Sequence, residues 1–122
     1  MARKAKVNKY RVAPAADRTA HGIVFASKAE MTRYYELVML ERAWEIKGLE
    51  LQPAYELIPA YTTRKGEKVR ALVYKADFRY LRLSDNRIIV EDVKGALTKE
   101  YRLKKKLLLG RYPDINFEEV RA

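Results

Sequence analysis

Apolar positions along this chain switch between two periods, and the switches mark its elements. From Lys28 to about Lys47, the residues Tyr34, Leu37, Val38, Glu41 and Trp44 recur at helical spacing, which predicts a helix with one inward face. Ser27 supplies its N-cap and Gly48 its stop. Ile23-Val24-Phe25, just before it, reads as a short strand. Leu49 to Ile58 predicts a further strand with Leu49, Leu51, Tyr55 and Leu57 on one face, and Pro53 within it points to an edge or a bulge. After a polar loop around Gly66, Val69 to Leu83 and Arg87 to Lys94 form two apolar runs about the turn residues Ser84-Asp85-Asn86. Parts of both runs are apolar on both faces, as expected of a hairpin in a sheet covered on both sides. Thr98 to about Leu109, capped by Thr98 and ended by Gly110, predicts a second helix, and Ile115 to Val120 a last strand. Helix, three strands, helix, strand is the order of an α/β domain, a mixed central sheet flanked by helices.

Residues 1 to about 20 show neither period. Arg3, Lys4, Lys6, Lys9, Arg11 and Arg18 face Asp17 as the single acid there, so this segment reads as a basic, flexible arm ahead of one domain over residues 21–122. The whole chain of 122 residues carries 26 Lys and Arg against 16 Asp and Glu, a net charge of +10. That excess points to a polyanionic partner, nucleic acid first. No apolar run approaches the roughly 20 residues of a membrane span, and no apolar stretch follows the basic start, so neither an anchor nor a secretory leader is expected. Cysteine is absent, which excludes disulfides, cysteine-based zinc sites and thiol catalysis, and fits a reducing cytoplasm. His21 is the single histidine, which argues against histidine-based metal sites and triads, and no glycine-rich phosphate loop occurs.

The chemistry concentrates on the predicted hairpin. If it folds about Asp85, residue numbers on facing strands sum to roughly 170, and Asp77 lies opposite Val93 within a residue either way, with facing Cβ atoms roughly 5 Å apart. By alternation Asp92 and Lys94 share one face, while Glu91 points to the other, where a helix lysine is a suitable partner. An aspartate in the apolar run Val73-Tyr74-Lys75-Ala76-Asp77-Phe78 needs a cation or donors, and an ion pair with Lys75 or Arg79 would serve. Two carboxylates and a lysine at one strand end suit another task. Phosphodiester hydrolysis uses a divalent ion held by oxygen ligands, and a nearby lysine to position water or neutralise developing charge. Glu30 belongs to the capping box Ser27-x-x-Glu30, yet it also heads the inward stripe of the first helix. Lys104 falls on the inward stripe of the second helix, whereas Lys105 and Lys106 diverge outward.

Glu30 on a first helix, Asp77 on a strand, Asp92-x-Lys94 on the next and then a basic helix resemble the PD-(D/E)XK nuclease superfamily. More narrowly, five segments look like DUF1064, a phage-associated family of small proteins. They are Gly22-Ile23-Val24-Phe25-Ala26-Ser27-Lys28-Ala29-Glu30, Leu51-Gln52-Pro53-x-Tyr55-x-Leu57, Ala76-Asp77-Phe78-x-Tyr80, Val90-Glu91-Asp92-Val93-Lys94-Gly95 and Tyr101-Arg102-Leu103-Lys104. The resemblance covers about residues 20 to 120. It implies a restriction-endonuclease-like core in which Asp77, Asp92, the Val93 carbonyl and Glu30 hold Mg²⁺ or Mn²⁺ and Lys94 assists the water. The arrangement is also similar to archaeal-type Holliday junction resolvases, which act as homodimers, although Asp92 stands where glutamate is usual in them. The expected function is therefore a divalent-metal-dependent, structure-selective DNA endonuclease, a Holliday junction resolvase first, working in the cytoplasm of a phage's bacterial host. Lys4, Lys6, Lys9 and Arg11 of the arm, with Lys104 and Lys105, would grip DNA phosphates. The alternatives are a nuclease for nicked, flap or duplex DNA, and a basic DNA-binding accessory protein without catalysis.

Overall fold

The computed structural model describes residues 12–122; Lys4, Lys6, Lys9 and Arg11 lie outside the described residues. A helical turn, Ala15–Arg18, leads into β1 (Thr19–Ala20), β2 (Ile23–Val24) and α1 (Lys28–Arg42). Then come β3 (Ile46–Leu51), β4 (Ala54–Ile58), β5 (Tyr61–Thr62), β6 (Lys68–Val69), β7 (Leu72–Lys75), β8 (Phe78–Arg82) and β9 (Arg87–Lys94). The chain closes with α2 (Lys99–Arg111) and β10 (Asn116–Arg121). The central sheet has four strands in the order β10-β9-β8-β3, with β10 parallel to β9 and the other pairs antiparallel. The fold is thus the expected mixed α/β, with a helix on each face of the sheet.

Alternation along β9 sorts the two faces. Ile89 and Val93 pack with Phe78, Tyr80 and the α1 residues Tyr34 and Leu37. Val90 packs on the other side with Tyr74, Ala76 and the α2 residues Tyr101 and Leu108. Each half-core is small, so the sheet's central strand contributes to both.

Several boundaries differ from the sequence pattern, each for a local reason. The first helix stops at Arg42 rather than near Lys47. The Trp44 N–H donates to the Glu41 carbonyl at 3.1 Å and the Glu45 N–H to the Leu40 carbonyl at 3.0 Å, the bond pattern of a Schellman motif. Trp44 itself takes the left-handed position, φ 58°, that glycine usually fills, and its side chain is 77% exposed instead of facing inward. Gly48, read as the stop, has φ 69° inside β3, where the pairing with β8 shifts register between Lys47 and Glu50. The second helix continues through Gly110 to Arg111, with Thr98 as N-cap as expected. Ala15 to Ala20, assigned to the arm, belong to the folded part: Ala20 is 3% exposed within the core, and β1 pairs with β2.

The two long strands expected at 49–58 and 69–83 are each broken in two. Leu51 pairs with Phe78, and Ala54 with Lys75, so β3-β4 and β7-β8 share one register across the break. At the break Gln52 has φ 51° and Pro53, buried, offers no N–H. The Gln52 N–H instead donates to the Asp77 carbonyl at 2.9 Å, and the Ala76 N–H to the Pro53 carbonyl at 3.1 Å. The ribbon bends there, β4 and β7 leave the central sheet as a separate pair, and Asp77 stands at the bend.

Candidate active site

The hairpin register is one residue tighter than the symmetrical estimate, with Phe78 opposite Glu91, which puts Asp77 level with Asp92. Lifted out of the ladder by the bend, Asp77 reaches across to β9: its Oδ2 accepts the Val93 N–H at 2.7 Å, while its own N–H donates to the Glu91 carbonyl at 3.0 Å. Neither suggested ion-pair partner is engaged. Arg79 pairs with Glu50 and the Tyr55 hydroxyl, and Lys75 is exposed on β7.

Asp92 is 2% exposed on the α2 side of β9. Its Oδ2 accepts the Tyr74 hydroxyl and lies 3.3 Å from Lys94 Nζ. Lys94 Nζ is further held 4.3 Å from the centre of the Tyr101 ring. The Asp92 carboxyl is pushed up to about 6, chiefly because burial strips its water, with Lys94 opposing. Burial likewise raises Asp77, partly offset by the Val93 N–H and by Lys94.

Glu30 arrives from the N-terminal turn of α1. Ser27 Oγ accepts the Glu30 N–H at 3.1 Å, the N-cap bond of the expected box. The Glu30 carboxyl is nevertheless 6% exposed and pushed up to about 7, first by burial and then by the charges of Asp77 and Asp92. The cap and the inward orientation therefore coexist. What fixes α1 over the sheet is its next turn. Arg33 Nε and Nη2 donate to the two oxygens of Glu91 at 2.8 and 2.7 Å, and the Tyr80 hydroxyl donates to the same carboxylate. Glu91 is completely buried, so its partner is a forked guanidinium and not the anticipated lysine.

Lys94 separates two clefts. One, of about 450 Å³, is lined by Val12, Glu30, Asp77, Val93 and Lys94. The other, of about 390 Å³, is lined by Tyr74, Lys75, Lys94, Thr98, Tyr101 and Lys104. Lys75, Tyr74 and Thr98 did not stand out in the sequence as site residues. Lys75 sits on an exposed strand face, and only the bend in the ribbon turns β7 toward α2. Lys104 is half-buried and pairs with Glu100 at 3.1 Å. Lys105, expected to point outward, lies instead against β10, where its ammonium bonds Glu119 at 2.7 Å beside the Phe117 ring.

Among the described residues, no three His, Cys, Asp or Glu side chains are gathered closely enough to form a ready-made metal cage. The cleft presents two carboxylates, Glu30 and Asp77, together with Val93, and Asp92 stands behind them against Tyr74 and Lys94. Mg²⁺ is commonly held by one or two carboxylates and several waters, so this donor set fits such an ion. No helix among the described residues is long and apolar enough to cross a membrane.

A family model described as "Protein of unknown function (DUF1064)" matches residues 7–122. No curated protein and no solved structure matches the chain.

Proposed function

The chain belongs to the DUF1064 family, and we propose that it is a divalent-metal-dependent, structure-selective DNA endonuclease of PD-(D/E)XK type acting on four-way junctions. The observation that carries this reading is the cleft shared by Glu30, Asp77 and Lys94 at one end of the sheet, with Asp92 behind it on Tyr74 and Lys94. All three carboxyls are raised by burial, and Lys94 stands at the border of an acidic and a basic cleft. Asp77, Glu30, Asp92 and the Val93 carbonyl are the groups that would hold Mg²⁺ or Mn²⁺. When bound, the ion would orient the scissile phosphate and supply hydroxide at neutral pH.

The remaining work falls to the chain's own side chains. Asp92 and the Tyr101 ring hold the Lys94 ammonium between the clefts, where it would face the negative charge on the phosphoryl oxygens during in-line attack. Tyr74 keeps Asp92 oriented toward Lys94. Lys75 and Lys104 line the basic cleft and would receive the neighbouring phosphates. Val12, at the start of the described residues, lines the acidic cleft.

The net charge of +10 favours DNA over a small substrate. A two-fold dimer matches the symmetry of a four-way junction and belongs to the same proposal, as do a phage origin and a site of action in the bacterial cytoplasm.

The deciding experiment incubates the purified chain with Mg²⁺ or Mn²⁺ and a labelled four-way junction, alongside duplex, nicked, flap and single-stranded DNA of the same sequence. Paired symmetric nicks in the junction alone, lost in Asp77→Asn and Asp92→Asn while junction binding persists, are the expected result. Cutting of flap or duplex DNA instead keeps the nuclease and discards the junction. Tight binding without cutting in either metal, and no calorimetric signal for Mn²⁺, refutes catalysis.

A further inference from the structure

A third cleft, of about 400 Å³, adjoins the acidic one and shares Glu30 with it. Its other walls are Ile23, Val24, Phe25, Leu51 and Gln52, four apolar side chains and one amide. The apolar wall is presented to solvent on purpose-built backbone. Val24 is 57% and Ile23 37% exposed, on a hairpin whose turn residues His21 and Gly22 both have positive φ, 49° and 76°. The hairpin is pinned from three sides. His21 Nδ1 lies 2.8 Å from the Tyr34 hydroxyl of α1. The Phe25 N–H donates to the Arg18 carbonyl at 2.9 Å, and Arg18 Nε donates to the Ala13 carbonyl at 2.9 Å. The amide wall is equally fixed. Gln52 holds a left-handed conformation that a non-glycine residue adopts at a cost, and its N–H is bonded to the carbonyl of Asp77.

Resting on the nuclease reading of the adjoining cleft, we infer that the Ile23–Val24–Gln52 cleft receives one unstacked nucleobase of the DNA strand, next to the phosphate at the Glu30–Asp77 cleft. The three clefts share lining residues in sequence: lysines on one side of Lys94, carboxylates between, and a mainly apolar cleft beyond Glu30. A phosphate-rich strand anchored at Lys75 and Lys104 runs toward that slot, and the group it brings there is a base. Ile23 and Val24 supply aliphatic contact for its ring faces, in the manner of apolar wedges that unstack DNA. The Gln52 side chain is exposed and supplies both a donor and an acceptor for a base edge. Extrusion is cheapest where pairing is already interrupted, so the slot selects branched, nicked or single-stranded DNA over continuous duplex.

The test uses a four-way junction with 2-aminopurine placed in turn at each position around the crossover, with Ca²⁺ in place of Mg²⁺ to permit binding without cutting. One position is expected to brighten several-fold on binding wild-type protein. Val24→Asp, a change at an exposed site, is expected to abolish that rise in a protein that still binds Mn²⁺. Gln52→Asn keeps an amide in a residue that tolerates the left-handed region and is expected to retain part of the rise. Junction binding and cutting with no brightening at any position, or full brightening in Val24→Asp, overturns the base slot and leaves the nuclease standing. Failure of wild-type protein to bind any of these DNAs overturns both.

Discussion

Glu30→Gln separates the cost of the acidic cleft from its use. In metal-free protein the Glu30 carboxyl is raised from 4.5 to about 7. A carboxyl whose folded pKa exceeds its unfolded one stabilises the fold relative to its ionised state only while it stays protonated. That contribution is complete below about pH 4.5, is lost as pH rises through 7, and is absent at pH 8. The lift corresponds to roughly 3 kcal/mol of penalty on the ionised form. In a domain of this size that is about 10 °C in Tm, and about half as much if Asp77 or Asp92 takes up the proton in its place. Glutamine preserves shape and the Ser27 cap bond but carries no charge. In EDTA, the Tm difference between Glu30→Gln and wild type should therefore climb from near zero at pH 4 to about +5 to +10 °C at pH 8, read by calorimetric scans. Saturating Mg²⁺ or Mn²⁺ should narrow or reverse the order, since a hundredfold excess over Kd adds about 2.7 kcal/mol to the protein that binds it. A difference that is negative and flat from pH 4 to 8 would refute the argument, because Glu30 would then act through shape or cap alone.

Arg33→Ala strands the fully buried Glu91 without its cation and should cost about 3 to 5 kcal/mol in urea unfolding, whereas Arg33→Ala with Glu91→Leu should recover much of that; equal losses in both would show that the pair does not hold α1 on the sheet. Lys94→Met should leave Mn²⁺ binding within a few-fold of wild type by calorimetry but lower cleavage at least about 100-fold, and a parallel loss of both would make it a structural residue. Lys75→Ala and Lys104→Ala should each weaken junction binding and flatten its dependence on salt by about one phosphate contact, measured by titration at several salt concentrations. Ser27→Ala should cost about 1 kcal/mol of stability through the lost N-cap, with a negligible loss counting against the capping role.

Much of the candidate site was legible because it depends on local rules. Strand alternation separates Asp92 and Lys94 from Glu91, and β9 places them on opposite faces. The turn at Ser84-Asp85-Asn86 brings Asp77 level with β9 to within a residue. N-cap chemistry at Ser27 and Thr98 starts both helices where the sequence indicates. The misplaced elements are those where a distant partner overrides a local signal. Gly48 carries the signal of a helix stop, but the helix ends at Arg42, and backbone bonding compensates for the unfavourable side chain of Trp44 in the left-handed position beyond it. Lys105 follows an outward helical angle, yet Glu119 on β10 draws it in. Pro53 signals an irregularity without saying that the opposite strand breaks at the same level.

Sequence by itself determined which residues alternate, where turns and caps form, and that a basic chain carries acid, acid and lysine at neighbouring strand ends. These are nearest-neighbour properties, set by backbone geometry and side-chain type. Tertiary structure alone decided that the ribbon bends at Gln52 and Asp77 and that Arg33 fixes α1 by a buried fork onto Glu91. It also decided that Lys75 and the exposed Ile23–Val24 hairpin flank the acids on opposite sides. Each of those outcomes depends on which surfaces exclude water from one another, and that is a property of elements far apart in the chain, beyond the reach of any periodicity within them.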